Sequence, residues 1–372
     1  MRDATQIIRS TLTPPVAGEP LHAGPVFAAP YHTPGDPADA AYSYARSHNP
    51  TWTSLETAIA QMESGGNTST QALVFASGMA ACAAVFGVVL RPGDAVVLPS
   101  NSYFGARKLA IEYFGAMGIE VRSAPTAGNA QAALLKGARL LWIESPSNPT
   151  MEICDISALC EAAHREGALV AADNSTPTPL GQRPLTLGAD FSVASDTKSM
   201  TGHSDLLLGH VAVRDPELRA KLDNWRTLTG GVPGPMEAWL AHRSITTLPL
   251  RLDRSCENAQ CIAEFLTTRS EVEAVFYPGL PAHPGYEVAK KQMQRFGPVL
   301  SFTLRDRTAA ETFLAKAELV TEATSFGGIA TTAERRARWG GDAVPEGFIR
   351  MSVGCEAVED LFEDIGQALD AI

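Results

Sequence analysis

Phe191-Ser-Val-Ala-Ser195-Asp-Thr-Lys198-Ser-Met-Thr-Gly-His-Ser-Asp205 reads as a short buried strand over 191–194, followed at once by hydroxyl residues and a lysine. Lysine ordinarily sits in solvent. At the end of a buried strand, with Asp196 as its neighbouring acid, Lys198 suits another state: a desolvated amine with a lowered pKa, fit to form a Schiff base. The segments on either side decide whether that strand end opens onto a site.

Upstream, short apolar runs at 72–76, 95–98, 119–123, 140–143 and 168–172 alternate with helical stretches at 52–63, 79–89, 106–114 and 156–166. Buried strands alternating with helices of this length predict βαβ units and a mostly parallel sheet covered on both faces. In such sheets ligands bind beyond the carboxyl ends of the strands. Downstream of Leu248 the texture loosens: a long helix over 251–268, strands at 272–276, 299–304 and 348–353, and a helix near 309–317 predict a smaller α+β domain. Residues 1–50 are rich in proline, from Pro14 to Pro50, which resets the backbone away from helix. The aromatics Tyr31, Tyr42, Tyr44 and Trp52 are costly to leave in water, so an ordered arm lying on a surface is expected, either this subunit's own or a neighbour's. The expected division is an arm over 1–50, an α/β domain over 51–248 and a C-terminal α+β domain over 249–372.

Bulk properties narrow the function. The 372 residues carry 30 Lys and Arg against 41 Asp and Glu, a net charge of −11. That balance opposes general nucleic-acid binding and docking on an anionic membrane. The apolar run over 79–90 falls short of the roughly 20 residues a bilayer span needs, and the N-terminus has no signal-like apolar core. A cytoplasmic location is expected. None of the six cysteines forms C-x-x-C and none of the eight histidines forms H-E-x-x-H. Buried thiols in a reducing compartment, with no metal, are the expectation.

The residues after each strand are distinctive. Ser77-Gly78-Met79 opens a helix, a place where backbone amides meet an anion. Ser100-Asn-Ser-Tyr103, Glu144-Ser-Pro-Ser-Asn148-Pro149, Asp173-Asn174 and Ser195-Asp-Thr-Lys198 follow the others. A phosphate could sit at the glycine turn with Ser195 and Thr197, a pyridinium nitrogen against Asp173, and an aldehyde on Lys198. Pyridoxal 5'-phosphate (PLP) requires that combination. A nicotinamide enzyme on a doubly wound sheet would need G-x-G-x-x-G, which the chain lacks. A non-catalytic carrier on the same fold is the other alternative.

On these residues the chain resembles the Cys/Met-metabolism PLP-dependent enzymes, the relatives of cystathionine γ-lyase, cystathionine γ-synthase, cystathionine β-lyase and methionine γ-lyase. The resemblance extends to Tyr44-x-Arg46-x-x-Asn49-Pro50-Thr51, Ser325-Phe-Gly-Gly328 and Arg350-Met-Ser-Val-Gly354. The stretch from Thr331 to Asp342 is most similar to actinobacterial members usually called cystathionine γ-lyases. The resemblance implies a PLP-dependent aminotransferase-like architecture (fold type I) and γ-elimination on an L-amino acid. γ-Replacement, methionine γ-lyase activity and loss of a non-sulfur group such as halide are the alternatives.

By the same resemblance Lys198 holds PLP and shuttles protons at the substrate α-carbon, and Asp173 keeps the pyridine nitrogen protonated. Gly78, Met79, Ser195 and Thr197 bind the phosphate, joined by Tyr44 and Arg46 from a partner chain. Tyr103 stacks on the ring and acts at the leaving group, and Arg350, with Asn148 and Ser325, takes the substrate carboxylate. A homodimer with shared sites follows, usually doubled to a homotetramer. Two departures concern the substrate: Ser43 and Ala330 stand where cystathionine γ-lyases usually carry acids, and Gly105 stands where methionine γ-lyases carry a cysteine.

Overall fold

The computed structural model describes residues 2–372. Met1, the first residue of the expected arm, lies outside the described residues. Among the described residues, twelve strands form two sheets. The larger contains β1 (Gln71–Phe75), β2 (Ala95–Pro99), β3 (Glu120–Ala124), β4 (Leu140–Glu144), β5 (Leu169–Asp173), β6 (Phe191–Ala194) and β7 (Gly209–Val213). Their spatial order is β1-β7-β6-β5-β4-β2-β3. Strands β2 to β6 pair in parallel, whereas β7 runs antiparallel to both β6 and β1. The sheet is thus mostly parallel, as its apolar runs predict. The reversed strand β7 is an addition to the expected set.

Both faces are covered. The small-residue helix Gly78–Val89 buries Ala81, Cys82, Val85 and Phe86 against Leu73, Phe75, Leu98, Trp142 and Val211. On the opposite face lie Pro50–Glu63, Pro235–Ile245 and Ile156–Arg165. Residues 1–50 are not irregular throughout. An amphipathic helix, Asp3–Ser10, forms ahead of the first proline and buries Ile7 beside Trp52 and Leu55.

The smaller sheet orders as β10-β11-β12-β9-β8, with β8 (Val272–Phe276), β9 (Val299–Leu304), β10 (Thr321–Glu322), β11 (Thr332–Arg335) and β12 (Phe348–Ser352). It is antiparallel except for the β10–β11 pair. The helix Leu248–Thr267 links the two layers of core. Its first half places Leu248, Leu252 and Cys256 in the large-sheet core, and its second half places Ile262 and Leu266 in the small-sheet core. All six cysteines are free thiols. No helix among the described residues is long and apolar enough to cross a membrane.

Candidate active site

The carboxyl ends of β1, β2, β4, β5 and β6 converge with β12 on a cavity of about 350 Å³. Gly78, Met79, Tyr103, Asn148, Asp173, Ser195, Thr197, Lys198, Ser325 and Arg350 all line it. Ten of the twelve residues expected at the site are therefore brought together from segments far apart in the chain.

Register explains the pairings. In the parallel β4–β5 ladder Glu144 stands opposite Asp173, so two carboxyls share the floor. Burial, and then the proximity of Asp173, push Glu144 well above the ordinary carboxylate range. Its oxygens accept the backbone N–H of Tyr103 and of Asn148, each at 2.8 Å. Glu144 thereby ties the Tyr103 loop to the Asn148 loop. Burial also raises Asp173, while hydrogen bonds from Ser175 and the charges of Lys198 and His210 pull it down.

On β12 the alternation sends Ile349 and Met351 into the small core and Arg350 to the opposite face, toward the cavity. Antiparallel pairing sets Glu334 of β11 opposite Arg350. Arg350 donates to Glu334, to Asn148 Oδ1 at 2.9 Å and to the Ser325 carbonyl at 2.6 Å. Against the upward push of burial, Arg350 and an N–H from Trp339 hold Glu334 below the usual carboxylate range. Ser325 has φ of 76°, the left-handed region that costs a serine about 1–3 kcal/mol. That conformation lets its carbonyl receive Arg350 while its hydroxyl receives Lys198 Nζ at 2.7 Å. Burial and the Arg350 guanidinium lower Lys198 to about 8, with Asp173 and Glu334 opposing.

The residues fit pyridoxal phosphate. Ser77 Oγ caps the helix Gly78–Val89 by accepting from Ala80 N at 3.1 Å, and the helix start faces the Ser195 strand end. The approach is close: a Cβ on Gly78 would stand 2.6 Å from Ser195 Cβ, and one on Gly209 would stand 2.6 Å from Gly78 Cα. This makes an anion cradle that only glycine permits. An amine that sheds its proton near neutral pH and a buried carboxyl complete the donor set that an aldehyde and a pyridine nitrogen require.

Tyr44 and Arg46 do not line this cavity. Tyr44 is exposed, and Arg46 stacks over its ring and donates to the Thr227 carbonyl at 2.5 Å. Ser43 and Ala330 are also exposed and outside it. A Cβ on Gly105 would stand 2.5 Å from the Tyr103 ring, so the absence of a side chain there leaves room for that ring. Sequence reasoning missed Glu334, Arg336, Phe104 and Trp339, and treated Glu144 only as part of a loop motif. The local signal was an acid among arginines at 334–338, but its use depends on which strand pairs with β12.

A second polar cluster lies below the floor. His210 on β7 places Nδ1 2.7 Å from Asp196 Oδ1 and Nε2 3.1 Å from Glu63 Oε1, and Ser192 donates to Glu63 at 2.8 Å. All four side chains are buried. Burial disfavours a charged imidazole, but the two carboxylates override it and raise His210 to about 10.

A family model described as Cys/Met metabolism PLP-dependent enzyme matches residues 26–370. A Streptomyces coelicolor protein, described provisionally as a cystathionine γ-lyase, is 56% identical over 368 residues, covering 99% of this chain and 93% of its own. A cystathionine γ-synthase of Mycobacterium tuberculosis is 39% identical over 338 residues, covering 88% and 86%. The crystal structure of apo CalE6, a methionine γ-lyase from Micromonospora echinospora, superposes with a TM-score of 0.92 at 35% identity, covering 100% of this chain and 99% of its own.

Proposed function

The chain belongs to the Cys/Met metabolism PLP-dependent enzymes, and from that premise we propose that it is a lyase that expels the γ-substituent of an L-amino acid. The observation that carries this reading is the Lys198 amine held 2.7 Å from Ser325, whose carbonyl is bound by Arg350. A substrate with its carboxylate on Arg350 has its α-carbon beside that amine.

Bound pyridoxal phosphate supplies the electron sink for charge that develops on the substrate carbons. The chain's residues do the rest. The amides at Gly78 and Met79 and the hydroxyls of Ser195 and Thr197 hold the phosphate. Asp173 accepts the pyridine N–H. Arg350, steadied by Asn148 and Glu334, fixes the α-carboxylate. Lys198 Nζ takes the α-proton and moves protons along the substrate backbone. Tyr103, whose phenol burial keeps protonated, lines the cavity where it would stack on the cofactor ring and would deliver a proton to the leaving group. Tyr44 and Arg46 reach the phosphate of a partner chain, in a cytoplasmic homodimer that doubles to a homotetramer. The family name and the γ-lyase descriptions of the Streptomyces and Micromonospora proteins support this reading.

Product analysis tests it. The holoenzyme with L-homocysteine should release 2-oxobutanoate, ammonia and hydrogen sulfide in equal amounts. From L-cystathionine, γ-cleavage gives 2-oxobutanoate, ammonia and cysteine, whereas β-cleavage gives pyruvate, ammonia and homocysteine. Pyruvate as the main oxo acid, or faster joining of an O-acylhomoserine to cysteine than any elimination, would refute the proposal.

A further inference from the structure

The Tyr103 loop and the loop that follows β11 meet over the cavity. Arg107 of the first donates to the Ser102 carbonyl at 3.0 Å and to the Gly341 carbonyl at 2.8 Å, and lies 3.8 Å from Asp342. From the second, Arg336 donates to Asp342 at 2.6 and 2.9 Å and to Glu334 at 2.6 Å. Trp339 Nε1 donates to Glu334 at 2.8 Å. A Cβ on Gly341 would stand 3.4 Å from Phe104 Cβ, so the two loops touch. This latch sets Phe104 and Trp339 into the cavity lining, 39% and 51% exposed. They are at its mouth.

The charges that line the cavity already have partners. Glu144 is occupied by two backbone N–H groups, and in the reading above Asp173 is committed to the cofactor's ring nitrogen. Arg350 is committed to the α-carboxylate in the same reading, and Arg336 has all three of its nitrogens engaged, one by Glu334 and two by Asp342. The arm over 40–49, which reaches a partner's site in the reading above, contains no acid. An ammonium at the far end of a substrate finds no carboxylate, and a far carboxylate finds no uncompensated arginine. Either would lose part of its hydration against aromatic carbon without gaining a charged partner.

We propose that Phe104 and Trp339 are specificity-determining residues that select L-amino acids whose γ-substituent is small and uncharged. This rests on the γ-elimination reading, in which Tyr103 serves the leaving group; the Phe104 ring lies 5.0 Å from the Tyr103 ring, so a γ-substituent beside Tyr103 faces the mouth.

Two measurements on the holoenzyme test it. The first needs no leaving group and no variant. L-Norleucine, L-lysine and L-2-aminoadipate are titrated against the cofactor's visible absorbance. Norleucine should bind at least about tenfold more tightly than the other two, the size of one lost charged hydrogen bond or more. Equal or tighter binding of lysine or aminoadipate overturns the proposal. The second compares kcat/KM for L-methionine and L-cystathionine. Wild type should favour methionine. Phe104→Gly/Trp339→Ala should shrink that preference by about tenfold, and Trp339→Phe, which keeps an aromatic ring but not the bond to Glu334, should retain it. A preference for cystathionine, or one unchanged by the double variant, counts against the aromatic mouth. If no substrate yields 2-oxobutanoate, the γ-elimination reading fails, while the analogue titration still decides the specificity.

Discussion

Lys198 gains its chemistry from its surroundings. Burial and Arg350 bring its amine to about 8, from an ordinary value of 10.5. Attack on an aldehyde needs the neutral amine, so capture of pyridoxal phosphate by the apoprotein should quicken as pH rises, with a midpoint near 8. Arg350→Met removes a like charge and should move the midpoint upward. Stopped-flow absorbance measures both, and a wild-type midpoint near 10.5 would mean a solvated amine. His210 acts in the opposite sense. Its folded value of about 10 lies above the ordinary 6.5, so its pairing with Asp196 and Glu63 stabilises the fold fully below about pH 6.5. That contribution is lost progressively as pH rises through about 10. Melting temperature should fall over that window in the wild type. In His210→Gln the corresponding slope should vanish, with an overall loss of about 3–5 kcal/mol from carboxylates left buried and unpaired. A wild-type slope that persists in the variant would assign it to other groups. The lysine was legible because it stands beside hydroxyl residues just past the end of a buried strand, where a solvated surface lysine is not expected. His210 was not, because its partners lie 14 and 147 residues away: the β6–β7 pairing brings Asp196 to it, and the packing of the helix Pro50–Glu63 brings Glu63.

Among the elements, the parallel strands and the turns after them were readable. Each is a continuous apolar run followed by small and polar residues, and that pattern fixes both a buried strand and the site at its end. What escaped depends on pairing rather than composition. β7 runs backward between β1 and β6, and Glu334 becomes a partner of Arg350 only through the β11–β12 register. The helix Asp3–Ser10 was hidden by the prolines that follow it. The start of the helix Gly78–Val89 gives the sharpest element-level prediction. Gly78→Ala puts a methyl 2.6 Å from Ser195 Cβ, where something must shift. The variant should fold but bind pyridoxal phosphate at least about tenfold more weakly, a loss of 1.4 kcal/mol or more in holding the anion. Equilibrium dialysis of the apoprotein checks this, and unchanged affinity would place the phosphate elsewhere.

In the whole molecule, the helix Leu248–Thr267 joins the core that supplies Lys198, Asp173 and Tyr103 to the core that supplies Arg350. The cavity is a product of both. Tyr44 and Arg46 lie outside it, on an exposed arm, although their motif resembles the part of the family that serves a neighbour's phosphate. If they do so here, Arg46→Ala and Lys198→Ala, each inactive alone, should recover about a quarter of wild-type activity per site when refolded together, since random pairing makes half the dimers mixed and leaves one intact site in each. No recovery, with mixed dimers demonstrated, would mean that each chain completes its own site. The assignment beneath all of these is that Lys198 bonds the cofactor. Borohydride reduction of the purified holoenzyme, followed by proteolysis and mass spectrometry, tests it directly. The account predicts a reduced pyridoxal phosphate adduct on the peptide containing Lys198 and none on peptides containing Lys108, Lys136 or Lys221. An adduct on another lysine, or a cofactor-loaded chain with no adduct at all, would contradict it.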